Sequence, residues 1–154
     1  MARVGYTIIA VLFLAVIGWS ASLQSEILGD YLGYTACEGC HTEKVDGWKT
    51  TAHARAFEDL KTQGEEKQEN PGCFHCHVVG YGEDGGYIDM ELTPELKEVQ
   101  CEACHGPGKK HSETLNTEDI RVKPGEGVCR KCHTEGQDKG FDYGEKSKLV
   151  HGGQ

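Results

Sequence analysis

The sequence predicts a small, mainly α-helical fold with extensive loops and little β-strand. Residues 42–61 carry apolar side chains at helical spacing, whereas the rest of the chain is rich in glycine and charge and has short apolar runs. The 154 residues suffice for one domain, but they can bury only a small apolar core. A bound group is therefore expected to supply further apolar surface. The apolar face of the predicted helix consists of Val45, Trp48, Ala52, Ala56, Phe57 and Leu60.

Residues 1–22 are predicted to be a secretory signal peptide or an uncleaved N-terminal anchor. Arg3 precedes an apolar run from Ile8 to Trp19, and small residues follow, which is the order typical of a secretory signal. The run is shorter than the roughly 20 apolar residues of a membrane span. Residues 23–154 then form the single domain. We expect an exported protein in the periplasm, soluble or anchored at the inner membrane, with an extracellular location as the alternative.

Short elements separated by loops are expected in the rest of the domain. Residues 61–72 are charged and typical of a solvated connector. Residues 80–87 include four glycines and two tyrosines, which predicts a turn-rich loop or a short hairpin. Pro94 suits a first helical turn, so residues 93–99 are predicted to form a short helix. Residues 117–127 are predicted to be loop.

The eight cysteines form four pairs with two residues between the members of each, and a histidine follows every pair directly. This C-x-x-C-H pattern is the attachment signature of c-type haem. Two thiols at this spacing can add to the two vinyl groups of one haem, and the next residue becomes the proximal ligand of its iron. We therefore expect four covalent haem c groups that form much of the core. The motifs are Cys37, Cys40 and His41; Cys73, Cys76 and His77; Cys101, Cys104 and His105; and Cys129, Cys132 and His133.

Three other uses of paired cysteines are weaker interpretations. Structural zinc sites also contain C-x-x-C pairs, but zinc does not require a histidine directly after each pair. Disulfides are compatible with export but do not explain the histidines. Thioredoxin-like redox pairs occur singly on a βαβ unit. The repetition of the complete motif four times favours haem.

The chain contains four further histidines, one for each predicted haem iron. A second axial histidine would make each iron six-coordinate, with no open position, which suits electron transfer at low potential. A methionine ligand raises the potential, and Met90 is the only methionine after the start residue. The candidate second ligands are His53, His75, His111 and His151.

Chain spacing limits which iron two of these histidines reach. His53 follows His41 by twelve residues, or about 18 Å along a continuous helix, so the two are predicted to serve different irons. His75 lies within its own attachment motif and cannot reach the far face of that haem. It is expected to point outward, towards solvent or another molecule.

The last two histidines follow longer spacers. His111 comes six residues after His105, through a segment barely long enough to pass a haem edge, so it is expected to cross to a different haem. His151 comes eighteen residues after His133 and can return to the last haem without strain.

The acidic composition excludes one class of partner. The net charge of −9 disfavours nucleic acid, whose backbone repels an acidic chain. A basic redox partner is expected because opposite charge accelerates encounter. The alternative is that the charge keeps an exported protein soluble.

Three segments resemble the cytochrome c-554 family of tetrahaem cytochromes, known from ammonia-oxidising bacteria. Residues 48–54 resemble the helix after the first haem of that family, residues 76–87 the second haem segment, and residues 99–108 the third. The third match is the most specific, and the resemblance as a whole covers most of the chain after the signal. The tail after the fourth motif is shorter than in the family, and His75 is an additional histidine.

The resemblance implies a second axial histidine on three of the haems and an open face on the second haem, which His77 holds. It also implies which histidines share an iron. The implied pairs are His111 with His41, His53 with His105, and His151 with His133.

The sequence therefore predicts a relay that passes electrons between exported redox proteins, one a donor and the other an acceptor. Either partner is expected to be basic or membrane-bound. One alternative is an enzyme that reduces a small nitrogen oxide at the second haem. Another is a conducting filament or homo-oligomer, in which His75 binds the second haem of a neighbouring copy.

Overall fold

The structure, a computed structural model, describes residues 29–153. It is mainly helical with many loops, as predicted. Within the described residues there is no β-strand, and one isolated antiparallel bridge joins Val78 and Lys97. The α-helices are α1 (Tyr34–Lys49), α2 (Pro71–His77), α3 (Cys101–His105), α4 (Lys109–Thr114), α5 (Glu126–Cys129) and α6 (Tyr143–Lys146). Short 3-10 helices span Ala52–Arg55, Glu58–Gln63, Glu65–Glu69, Pro94–Leu96, Thr117–Asp119 and Ser147–Leu149.

The predicted signal peptide or anchor, residues 1–22, lies outside the described residues. From residue 29 to residue 153, no helix has both the length and the apolar character that crossing a membrane requires.

Helix α1 differs from the prediction at both ends. It starts before the first motif and bends at His41, whose backbone is not helical, so the expected helix from Thr42 is its second half. It ends at Lys49 rather than Lys61. The hydroxyl groups of Thr50 and Thr51 donate hydrogen bonds to carbonyls of the last turn, and the backbone at Thr51 is extended. These local bonds compete with helix continuation, so the chain turns before His53.

Two helices that carry attachment motifs have identifiable ends. Asn70 caps α2, since its side chain accepts a hydrogen bond from the Gly72 amide at 2.9 Å, and Pro71 occupies the first turn. Helix α3 ends at Gly106, whose φ of 86° lies in the left-handed region that glycine adopts without strain. The predicted helix at residues 93–99 is reduced to the single turn Pro94–Leu96. The segment predicted as loop, residues 117–127, contains a 3-10 turn and the start of α5.

A small apolar cluster packs around α2. Phe74 of α2 contacts the rings of Phe57, Tyr81 and Tyr87, with centroid separations of 5.2–6.2 Å. Cys73 packs against the same cluster, so the polypeptide core is concentrated at the second motif. The buried members of the cluster are Tyr31, Phe57, Leu60, Phe74, Val78, Val79, Tyr87 and Leu96.

A buried carboxylate joins the first described segment to the third motif. Both oxygens of Glu102 accept backbone N–H groups, from Leu32 at 3.0 and 3.1 Å and from Gly33 at 2.8 Å. The Gly108 amide donates a further hydrogen bond at 2.7 Å. Because Glu102 is only 3% exposed, these contacts fix residues 32 and 33 against α3 and the start of α4.

Candidate haem-binding sites

Each C-x-x-C-H motif coincides with a helical turn. Positions i, i+3 and i+4 lie on one side of such a turn, so both thiols and the following imidazole can face the same group. We number the motifs along the chain as site 1 (Cys37, Cys40, His41), site 2 (Cys73, Cys76, His77), site 3 (Cys101, Cys104, His105) and site 4 (Cys129, Cys132, His133).

Three of the four proximal histidines face a second histidine ring. His41 lies 6.3 Å from His111 between ring centroids, with 24° between the ring planes. The other two pairs are His105 with His151, at 6.2 Å and 23°, and His53 with His133, at 6.0 Å and 63°.

These separations fit iron bound between two imidazoles. A metal–imidazole bond is about 2 Å long, so two rings on opposite sides of one metal ion have centroids about 6 Å apart. A direct stacking contact would bring parallel rings closer. At each of these three sites, two thiols would attach a haem covalently and two imidazoles would bind its iron.

The described contacts support one of the three pairs implied by the family resemblance and contradict the other two. His111 faces His41, as implied. The pairing of His53 with His105 is wrong, because the His53 ring faces His133.

The pairing of His151 with His133 is also wrong, since His151 faces His105. The tail turns back to the end of α1, where Gly152 approaches the Gly47 carbonyl and the Thr50 hydroxyl. It therefore leaves site 4 rather than returning to it, and the turn at Thr50 also directs His53 away from the α1 axis.

The ring nitrogens away from the candidate iron positions have hydrogen-bond partners. The Nδ1 atom of His105 lies 2.7 Å from the Arg121 carbonyl, and that of His111 lies 2.9 Å from the Asn116 carbonyl. His133 Nδ1 lies 2.7 Å from a carboxylate oxygen of Asp138. A donor bond at Nδ1 fixes the tautomer that leaves Nε2 free to bind a metal.

Burial also favours the neutral imidazoles that metal ligation requires. The pKa of His53 lies below its ordinary value because of burial and, secondarily, the nearby His133. The pKa of His151 is lowered by burial and by His105. Both rings are therefore in the form that offers a lone pair to a metal.

Site 2 differs from the other three sites. His77 Nδ1 lies 2.5 Å from the Ala56 carbonyl, so its Nε2 is available. Of the eight histidines, all within the described residues, only His75 and His77 lack a facing imidazole. His75 is two positions away on α2 and exposed, and residues at this spacing do not share a helix face. Its role as a ligand therefore remains a prediction.

The attachment cysteines connect the four sites in a row. The thiols of Cys37 in site 1 and Cys101 in site 3 are within hydrogen-bonding distance. Cys104 of site 3 interacts electrostatically with the site 4 cysteines. Cys132 of site 4 interacts with Cys76 of site 2 and lies 3.8 Å from the His75 carbonyl. The spatial order is therefore site 1, site 3, site 4 and site 2.

Several supporting groups could not be recognised from the sequence. Backbone carbonyls at Ala56, Asn116 and Arg121 carry no side-chain signal, because any residue supplies one. Asp138 had a detectable signal, since it is an acidic residue five positions after His133.

A helical, loop-rich fold with repeated thiol–imidazole sites defines the class as a multihaem c-type cytochrome. Comparison with known proteins agrees, since the family model for cytochrome c554 and c-prime matches residues 36–106. The chain belongs to the cytochrome c554 family, and membership implies covalently bound haem c.

A curated sequence and a solved structure, both of cytochrome c-554 from Nitrosomonas europaea, illustrate the similarity. Cytochrome c-554 is 34% identical over 134 residues, which cover 77% of this chain and 56% of the relative. The chain thus spans little more than half the length of that curated relative. The solved structure of the reduced state of cytochrome c554 matches with a TM-score of 0.60 and 26% identity, over 79% of this chain and 83% of that one.

Proposed function

We propose that this protein carries four covalent haem c groups and relays electrons between exported redox proteins. The observation that carries the proposal is the set of three histidine pairs with centroids 6.0–6.3 Å apart. Haem supplies one-electron chemistry, and an iron held between two imidazoles changes oxidation state without binding a substrate. The chain contributes the thiols, the axial nitrogens and the second-sphere bonds that orient them.

The arrangement of the sites supports transfer along the molecule. Attachment cysteines lie close to one another between site 1 and site 3, between site 3 and site 4, and between site 4 and site 2. Electron hopping becomes slower as the separation between redox centres increases, so neighbouring sites favour a path along this row. Site 1 and site 2 form its ends and are the points at which donor and acceptor would dock.

A basic donor or acceptor agrees with the net charge of −9. We place the protein in the periplasm, soluble or anchored through residues 1–22.

The proposed function predicts four haems per chain and reversible reduction without substrate. Haem content of purified exported protein is measured by optical spectroscopy and mass spectrometry, and redox titration follows the four couples. Electron paramagnetic resonance is expected to report low-spin iron at sites 1, 3 and 4. A preparation dominated by high-spin iron, or without added porphyrin mass, would contradict the proposal.

A second candidate function is reduction of a small nitrogen oxide at site 2. It is favoured by one observation, namely that His77 has no facing imidazole among the described residues. An iron held only by His77 has an open position at which a diatomic ligand can bind.

This candidate predicts one high-spin iron in four and a nitric oxide complex at a single haem. Nitric oxide is titrated into the reduced protein and the spectra are followed at each addition. Four low-spin irons, or no spectral change with nitric oxide, would exclude it. The electron relay would remain, because it does not require an open site.

A further inference from the structure

Glu98 is a buried carboxylate to which the electron relay described above assigns no role. It is 5% exposed and has a φ of 72°, in the left-handed region that residues with a side chain rarely adopt. A backbone held in this region against its preference often marks a functional position. Glu98 is therefore a candidate functional residue.

Its contacts lead to the proximal histidine of site 2 through a single peptide group. The amide of Phe57 donates a hydrogen bond to Glu98 Oε2 at 2.6 Å. The carbonyl of the same peptide unit, that of Ala56, accepts from His77 Nδ1 at 2.5 Å. Carboxylate, peptide and imidazole thus form a continuous hydrogen-bonded row.

We propose that Glu98 is a positioning residue that lowers the reduction potential at site 2 by acting on His77 through the Ala56–Phe57 peptide. The inference rests on the proposed function, since it requires haem at site 2.

Polarisation of the Ala56–Phe57 peptide explains why Glu98 would lower, rather than raise, the reduction potential at site 2. A negative acceptor at the Phe57 N–H increases the negative charge on the Ala56 oxygen, and chains of hydrogen bonds strengthen one another in this way. The stronger bond at Nδ1 makes the imidazole of His77 a more basic ligand. A more basic axial ligand stabilises ferric iron over ferrous iron, so the potential falls.

The surroundings of Glu98 raise its pKa above the ordinary value for a glutamate. Burial raises the pKa of Glu98, although backbone hydrogen bonds oppose the shift. The charged side chains that act on it are Lys97 and Glu58, which form an ion pair at 2.8 Å. That pair raises the pKa of Lys97 and lowers the pKa of Glu58, so both stay charged while Glu98 titrates.

The test compares Glu98→Gln with Glu58→Gln in the haem-loaded protein. Glutamine retains an oxygen that can accept the Phe57 amide, so the fold is kept while the charge is lost. Glu58→Gln also removes one negative charge, but from a carboxylate that does not belong to the hydrogen-bonded series of Glu98, peptide and His77. Electrons are supplied by an electrode, and the site 2 couple is followed optically.

We expect Glu98→Gln to increase the equilibrium constant for reduction at site 2 about tenfold, which is 59 mV for one electron. Glu58→Gln should leave it within twofold. In the unchanged protein the site 2 potential should fall as pH rises through the Glu98 pKa, because the carboxylate ionises. That part of the pH dependence should be lost in Glu98→Gln.

The outcomes separate this inference from the proposed function. Haem attached at Cys73 and Cys76 with unchanged potential and pH dependence in Glu98→Gln would overturn the inference alone. Equal shifts in both variants would also overturn it, since they would indicate a general charge effect. Absence of haem at these cysteines in the unchanged protein would overturn both proposals.

Discussion

Replacing His53 by alanine is expected to make the iron at site 4 high-spin and to leave the other irons unchanged. The His53 ring faces His133 at 6.0 Å, so its removal leaves that iron with one axial ligand. Electron paramagnetic resonance can assign the lost signal. The rings at site 4 are inclined by 63°, whereas those at the other two pairs are within 24° of parallel. The angle between axial rings changes the orbital splitting of low-spin iron, so site 4 should give a distinct resonance.

The matching variant is His151→Ala, which should remove one of the two similar signals, that of site 3. Added imidazole should restore low-spin iron in both variants. His75→Ala is the control, because His75 is exposed and faces no other ring among the described residues, and its spectrum should be unchanged. Loss of the distinct signal in His151→Ala rather than in His53→Ala would contradict the pairing. An altered state of assembly in His75→Ala would support the filament instead.

Among the substitutions of Glu102 and Glu113 considered for stability, replacing Glu102 by alanine is expected to lower the free energy of unfolding most. The carboxylate accepts hydrogen bonds from the amides of Leu32, Gly33 and Gly108, which then lose their partner. A buried donor left unsatisfied costs about 1–3 kcal/mol, so the free energy of unfolding should fall by about 3 kcal/mol. The corresponding decrease in Tm is about 10 °C, measured by circular dichroism on haem-loaded protein.

Two variants test the origin of this loss. Glu102→Gln keeps one acceptor oxygen and should fall between alanine and the unchanged protein. Glu113→Ala removes an exposed carboxylate from helix α4 and should shift Tm by no more than about 2 °C, since surface substitutions change stability little. A Tm for Glu102→Ala equal to that of Glu113→Ala would mean that water replaces the carboxylate at these amides.

Local sequence was sufficient to predict the attachment chemistry. Each C-x-x-C-H motif lies within one helical turn, so the positions of the thiols and the imidazole depend on residues that adjoin one another. The helix before Lys49 was predictable for the same reason, since its apolar spacing is a local property. The end of this helix at Lys49 was not predictable. The hydroxyls of Thr50 and Thr51 end it by hydrogen bonding to backbone carbonyls of the last turn, and the spacing of apolar residues carries no signal for such bonds.

The sequence by itself predicts four local haem-attachment motifs, and it contains more histidines than these motifs need. Only the tertiary structure decided that His53 meets His133 and that His151 meets His105. The physical reason is that a second axial ligand comes from a distant part of the chain. Its destination depends on where the intervening backbone bends, at Thr50–Thr51 and in the returning tail, and such bends leave little trace in residue spacing.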